Sequence, residues 1–170
     1  GKAKALQARG GQLVVIDPRR TETAAIADAH HFIRPGADVF LLAAMVHTLF
    51  DENLVTLGRV AEWVNGADEV RTAIATFTPE AVAARCGMEA DTIRTLAHQL
   101  ARTPRAAVYA RIGTCTQEYG TLASWLVDVL NTLTGHLDTE GGMLFAKSAA
   151  FASNTVGKPG VGKGVSTGRH

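Results

Sequence analysis

Hydrophobic and polar positions along the chain change their period several times, and the breaks fall at turn-forming residues. Gln12 to Ile16 is a continuous β-branched and apolar run after Gly10-Gly11 and is closed by Asp17-Pro18. Such a run fits a short buried parallel strand. Thr21 to Ala29 is alanine-rich and ends near His30-His31, and Phe32-Ile33 then stops at the breaker Arg34-Pro35-Gly36. A helix leading into a second short strand is expected there. Strand, helix and strand in such close succession predict a βαβ unit with a right-handed crossover. Ahead of this unit, Gly1 to Leu6 reads as the last turns of a helix whose beginning lies outside the sequence.

Downstream the period becomes helical. Asp38 has the chemistry of an N-cap, since a carboxylate accepts from the free amides of the next turn. Val39 to Phe50 is apolar almost all round, the pattern of a buried helix. Weaker helical patterns cover Leu57–Val64 and Ala67–Ala75. Thr78-Pro79-Glu80 combines an N-cap, a proline at the first helical position and an early acid, and the helix it starts runs to Cys86-Gly87. Ile93, Leu96, Ala97 and Leu100 mark an amphipathic helix over Glu89–Arg102, ended by Pro104. Ala106 to Ala110 is the third strand candidate, followed by a small polar turn from Ile112 to Gln117. Leu122, Trp125, Leu126, Val129, Leu130 and Leu133 then form one apolar stripe, with Gly135 as the stop. From Asp138 onward the chain reads as loop, and no repeat of solenoid length occurs. The fold class expected is α/β: a Rossmann-like three-layer domain with a short parallel sheet flanked by helices. Residues 1–145 form that domain and residues 146–170 a Gly-rich loop or flexible tail.

Composition narrows the partners. The 170 residues are 46% hydrophobic and 19% charged, with a net charge of +1, which suits one globular domain. Seventeen basic against sixteen acidic residues leave no positive excess to hold a nucleic-acid backbone. The apolar run at Val39 to Met45 is far short of the roughly 20 residues that span a bilayer. Neither nucleic acid nor membrane insertion is expected. Two cysteines, Cys86 and Cys115, make neither a disulfide framework nor a four-ligand zinc site. With no secretory signal pattern, a reduced, cytoplasmic chain is the default, and both ends read as cut.

Ligands of parallel sheets bind at the carboxyl ends of the strands, which selects three loops. In Asp17-Pro18-Arg19-Arg20 the carboxylate can accept from vicinal ribose hydroxyls and the arginines can pair with phosphate oxygens; a solvated turn is the plain alternative. Pro35-Gly36-Ala37-Asp38 offers close backbone approach and a carboxylate able to read the N1 and N2 protons of guanine, against a simple helix cap. Gly113 to Gln117 can wrap a ligand with amides and hydroxyls, or be only a turn. Together the three favour a nucleotide-like ligand.

Other features carry less. Gly157-Lys158-Pro159-Gly160-Val161-Gly162-Lys163 imitates a phosphate-binding loop. Gly164 follows where Ser or Thr should, and too few residues remain for the helix that must hold the phosphate. His30-His31 would point to opposite faces of a strand and cannot chelate one ion. His47 and Met45 are expected in the core, Cys86 as structural, and Cys115 as a packed small residue. Trp63 and Trp125 are core or interface aromatics. The sequence holds no Ser/His/Asp arrangement, no distinctive acid pair and no cysteine cluster, so neither catalytic residues nor metal ligands are assigned.

Val14-Val15-Ile16-Asp17-Pro18-Arg19-Arg20-Thr21-Glu22-Thr23-Ala24, then Ala27-Asp28 and Ile33-Arg34-Pro35-Gly36-Ala37-Asp38, resemble the central segment of molybdopterin oxidoreductases of the dimethyl sulfoxide reductase and formate dehydrogenase type. Thr78-Pro79-Glu80, the GTCTQEYGT stretch from Gly113, and Leu130 to Asp138 with Glu140-Gly141-Gly142 continue the likeness in order. Departures occur at His136, where the family commonly has Asn, and at Glu140, where it has Pro. The loop after Gly113 also differs in its polar order, leaving Thr116 and Gln117 as alternatives for one role. The resemblance implies a large enzyme that binds molybdenum or tungsten through two pterin guanine dinucleotides, with an iron–sulfur cluster and the metal's protein ligand in a preceding part. It also implies that this segment grips the guanosine and diphosphate end of one pterin. Asp17, Arg19 and Arg20 would lie at the nucleotide, Gly36 and Asp38 at the guanine or ribose, and Gly113 and Thr116 near the pterin. The partners implied are the rest of the parent chain and an electron-transfer subunit, and the piece alone would be catalytically incomplete. The alternatives are a nicotinamide-binding Rossmann domain, which lacks G-x-G-x-x-G after the first strand, and a non-catalytic interaction module.

Overall fold

The computed structural model describes residues 1–145; the phosphate-loop imitation at Gly157–Lys163 and the tail 146–170 lie outside the described residues. The elements in order are α1 (Lys2–Gln7), β1 (Val14–Ile16), α2 (Glu22–Ile26), β2 (Ala29–His31) and α3 (Asp38–Asp51). A 3-10 helix (Gly58–Trp63) follows, then α4 (Ala67–Ala73), α5 (Pro79–Cys86), α6 (Ala90–Arg102), α7 (Ile112–Cys115) and α8 (Gly120–Leu133). The result is a small α/β domain with a short parallel sheet flanked by helices.

The βαβ unit forms as its punctuation demands. Thr21 caps α2 by accepting from the Ala24 amide at 3.2 Å, and β1 pairs with β2 in parallel, Val14 opposite Ala29 and Ile16 opposite His31. The second strand is therefore Ala29–His31 and not Phe32-Ile33: α2 ends at Ile26, three residues early, and the two histidines become strand residues. Asp28 fixes this register, its carboxylate accepting from Leu13 N at 2.7 Å and Gln7 Nε2 at 3.1 Å. Those donors, the Leu13 amide foremost, hold the Asp28 carboxyl below its ordinary range.

Around the sheet the helices build one core. The α3 helix is buried along nearly its whole length, as its all-round apolarity predicts. Leu49 of α3, Ile93 of α6 and Leu130 of α8 are fully enclosed. Thr78 caps α5 and Gly87 ends it in the left-handed conformation, both as read from sequence. The Leu57–Val64 pattern gives a 3-10 helix. On α8 the buried face is Ala123, Leu126, Val127, Leu130, Asn131 and Leu133, while Leu122 and Trp125 stay nearly half exposed. The expected stripe is thus corrected by a rotation, because Asn131 and the small Ala123 occupy inward positions that apolarity alone assigns to larger residues. Trp63 is 70% exposed, so neither tryptophan is a core residue.

The third strand requires a larger correction. Among the described residues, 106–110 join no ladder and the sheet has two strands. Yet their exposure alternates: Ala106, Val108 and Ala110 are half-buried, and Ala107 and Tyr109 are exposed. Val108 donates its N–H to Asn131 Oδ1 and accepts from Asn131 Nδ2, both at 2.9 Å. A single side-chain amide can meet the N–H and C=O of one residue only where the two point the same way, as they do in extended backbone. Asn131 stands in for a neighbouring strand, and its Nδ2 also reaches Val127 O at 2.9 Å.

Candidate functional site

Parallel pairing places the Asp17 loop and the Pro35–Asp38 loop at the same end of the sheet. Asp17 donates its amide to His31 O at 3.2 Å and accepts from His30 Nε2 on its carbonyl at 3.0 Å. Its Oδ1 accepts from Arg19 N at 2.8 Å, which folds Pro18–Arg20 into a tight turn. Arg19 and Arg20 are exposed and form no ion pair among the described residues. Two guanidinium groups are thereby left available at a strand end.

Asp38 does not cap α3. Ala37 holds the N-cap position and no side-chain cap bond forms. The Asp38 Oδ2 instead accepts from Gln117 Nε2 at 2.8 Å, across 79 positions of sequence. The same Gln117 amide group contacts the Gly113 carbonyl, so one side chain ties the Gly113–Gln117 loop to the start of α3. Gly36 lies beside this junction with φ +83°, a conformation that costs an L side chain but not glycine. Gln117 Oε1, at 4.0 Å, is the nearest neighbour a Cβ there would meet. Among the described residues no atom comes within 4 Å of a Cβ placed on Gly113.

Of the residues selected from sequence, Gly36, Asp38 and Gly113 are brought together, with Gln117 as the link. Thr116 is exposed and directs its hydroxyl to Ile112 O at 2.8 Å, within the single turn of α7 that occupies part of the expected loop. Asp17, Arg19 and Arg20 share the sheet end but make no hydrogen bond to Asp38 or Gln117 among the described residues. Gln117 lies inside a selected loop, and the available signal is a long amide directly after the small residues Thr114-Cys115-Thr116. A groove of about 270 Å³ lies beside Trp63 and Trp125, and one of about 250 Å³ beside Tyr109 and Cys115 touches the Gly113–Gln117 loop through Cys115; Asp17, Arg19, Arg20, Gly36, Asp38, Gly113 and Thr116 line neither. Among the described residues no group of three His, Cys, Asp or Glu side chains is placed to hold a metal, and no helix is long and apolar enough to cross a membrane.

The two thiols differ sharply. Cys86 is buried beneath this junction, its Sγ donating to Ala37 O at 3.9 Å. Burial first, and the negative charge of Asp38 second, push its pKa up to about 11. Cys115 is exposed, with Sγ 3.3 Å from Ser124 Oγ, and is not the packed residue expected. A thiolate is the reactive form, so a disulfide reagent at pH 8 is expected to titrate one thiol per folded chain quickly and the second only on unfolding. Cys115→Ser should abolish the fast phase, and Cys86→Ser should leave it intact.

No family model matches the chain. It is similar to the thiosulfate reductase molybdopterin-containing subunit of Salmonella typhimurium, with 31% identity over 89% of this chain and 20% of that protein. Against formate dehydrogenase H of Escherichia coli the identity is 35%, covering 75% of this chain and 18% of the relative. Among solved structures, acetylene hydratase from Pelobacter acetylenicus superposes with a TM-score of 0.72 at 30% identity, covering 78% of this chain and 18% of that one. The chain thus spans about one fifth of the length of the relatives it matches. Fold, motif order and similarity agree: the chain belongs to the molybdopterin oxidoreductases, as a segment homologous to about one fifth of those proteins.

Proposed function

We propose that this chain forms part of the pocket for the guanine dinucleotide end of one pterin in a molybdenum or tungsten bis-pterin oxidoreductase. The observation that carries the proposal is the junction of Gly36, Asp38 and Gln117, where one carboxylate is held in place by a distant amide beside open space. The Asp38 Oδ1 makes no hydrogen bond among the described residues and suits the N–H edge of a guanine. Arg19 and Arg20 suit the diphosphate, since a guanidinium offers paired donors to phosphate oxygens. The donor set fits the nucleotide end of such a group and not its metal. When bound, the metal–pterin group supplies electron exchange with substrate; the residues here bind, orient and neutralise its distant end. The similarity to a molybdopterin-containing subunit supports the same reading.

The iron–sulfur cluster, the metal ligand and the electron-transfer partner belong in this proposal to the rest of the parent protein, and the compartment proposed is the cytoplasm. The 170 residues alone turn over no substrate, and turnover by the purified chain would overturn that statement. Thermal shift tests the ligand: millimolar GDP is expected to raise Tm, because a ligand bound only by the folded state stabilises it, while NADH leaves Tm unchanged. Protection by NADH alone would favour a nicotinamide site, and silence with both an interaction module.

A further inference from the structure

The two tryptophans, neither of which enters the core, line one groove of about 270 Å³. One wall is the stretch from Trp63 to Val70, and the other is the face of α8 that carries Trp125, Asp128 and Val129. Positions 125, 128, 129 and 132 recur at helical spacing and so share one side of α8. Trp63 is 70% exposed and Trp125 46%, a large indole area left open on two different elements. Among the described residues neither indole stacks on another ring, and no cationic side chain lies over either.

The charge around this groove has one sign. From Val60 to Val70 the chain carries Glu62, Asp68 and Glu69 and no basic residue, and α8 carries Asp128 and no basic residue. Asp128 itself lines the groove, and among the described residues its carboxylate makes neither a hydrogen bond nor an ion pair. The Glu69 carboxylate turns back over Gly66, with Oε2 3.8 Å from where a Cβ would lie. Of the flanking bases, Arg59 is tied to Asp138, and Arg71 lies roughly 100° round α4 from the lining Val70. A cleft with low-dielectric walls and charge of one sign concentrates the opposite charge. Indole faces attract cations as well, and a pair of them suits a quaternary ammonium best, since its charge is spread over methyl groups that make apolar contact and give up little hydration.

We propose that the groove between the 3-10 helix and α8 is a binding site for a small quaternary ammonium ion, held between the Trp63 and Trp125 rings and neutralised by Asp128. A volume of about 270 Å³ falls just under the range of pockets for drug-sized ligands, which fits an ion of choline's size. None of the residues assigned to the nucleotide lines this groove, so the proposal stands or falls apart from the nucleotide reading.

Titration with choline chloride tests it, at constant ionic strength because attraction to an exposed carboxylate is screened by salt. The chain has two tryptophans, both in the groove, so their fluorescence reports its occupancy directly; calorimetry reads the same titration in the parent protein. Saturable binding is expected in both, with a Kd of about 1 mM or tighter. The neutral isostere 3,3-dimethylbutan-1-ol, which has carbon in place of the charged nitrogen, should bind at least about fivefold more weakly. Trp63→Leu should weaken choline binding by a similar factor while Trp63→Phe, which keeps an aromatic face, retains most of it. Asp128→Asn should cost about two- to fivefold. These side chains are exposed, and circular dichroism checks that each variant keeps the helix content of wild type. Equal binding of the isostere, or full affinity in Trp63→Leu, would reduce the site to an apolar groove and overturn the proposal. So would the absence of saturable binding, or binding to the 170-residue chain that the parent protein does not show.

Discussion

Replacing Asn131 with leucine is expected to lower the unfolding free energy by about 2–4 kcal/mol, because the partners of its amide are left unpaired. Asn131 is fully enclosed, and all its hydrogen-bonding capacity is directed at Val108 and Val127. Leucine matches its size closely, so packing changes little and the loss reports the hydrogen bonds. Aspartate at 131 could still accept from Val108 N, but it would set a negative charge against two carbonyl oxygens and should be at least as damaging. Urea denaturation measures both. The matching control is Thr132→Ala, whose hydroxyl only bonds back to Asp128 O within α8 and whose loss should stay within about 0.5 kcal/mol. Equal stability of Asn131→Leu and wild type would mean that residues 106–110 are not held by this amide.

Gly120→Ala is the second large effect. A Cβ at Gly120 would lie 2.1 Å from Cys115 O, and a backbone atom cannot turn aside as a side-chain tip does. Either α7 moves off the start of α8 or the first turn of α8 unwinds; overpacking of this order costs about 3 kcal/mol. The consequence reaches the candidate site, since Gly120 N donates to Gln117 O at 3.0 Å and Gln117 holds Asp38. In an amide NMR spectrum the Gln117 side-chain resonances should move along with those of residues 112–120. Thr121→Ala, on the exposed side of the same turn, should leave them in place. A Gly120→Ala protein with an unchanged Gln117 signal would show that the loop adapts without disturbing the junction.

The two substitutions mark what was legible in the sequence and what was not. Helix starts were read correctly at Thr21 and Thr78, because a cap is chemistry between residues three apart and needs no knowledge of the rest of the chain. The burial of α3 was legible for the same reason: no polar stripe exists to face water. Residues 106–110 show the limit. Their alternation is real, but a strand is completed by a partner, and here the partner is a side chain 23 positions away. The rotation of α8 has the same origin, since Asn131 earns an inward place only by what Val108 asks of it.

The sequence offers Asp38 both as a ligand candidate and as a helix cap, and the structure overturns the cap. Its carboxylate is directed to Gln117, a contact spanning 79 positions that local pattern does not encode. Strand-end position selects these loops, and the structure brings Gly36, Asp38 and Gly113 together. Within the third loop the Thr116 hydroxyl bonds its own turn while Gln117 reaches Asp38, a difference that local sequence does not encode.

The central claim, that these loops hold the guanine end of the cofactor, is tested most directly on the parent protein by counting guanine nucleotide released per polypeptide on denaturation. In Asp38→Ala and in Arg19→Ala/Arg20→Ala the count is expected to fall well below that of wild type purified alongside. The exposed control Thr121→Ala should retain the wild-type count. Full guanine content in both site variants, in folded protein, would contradict the account.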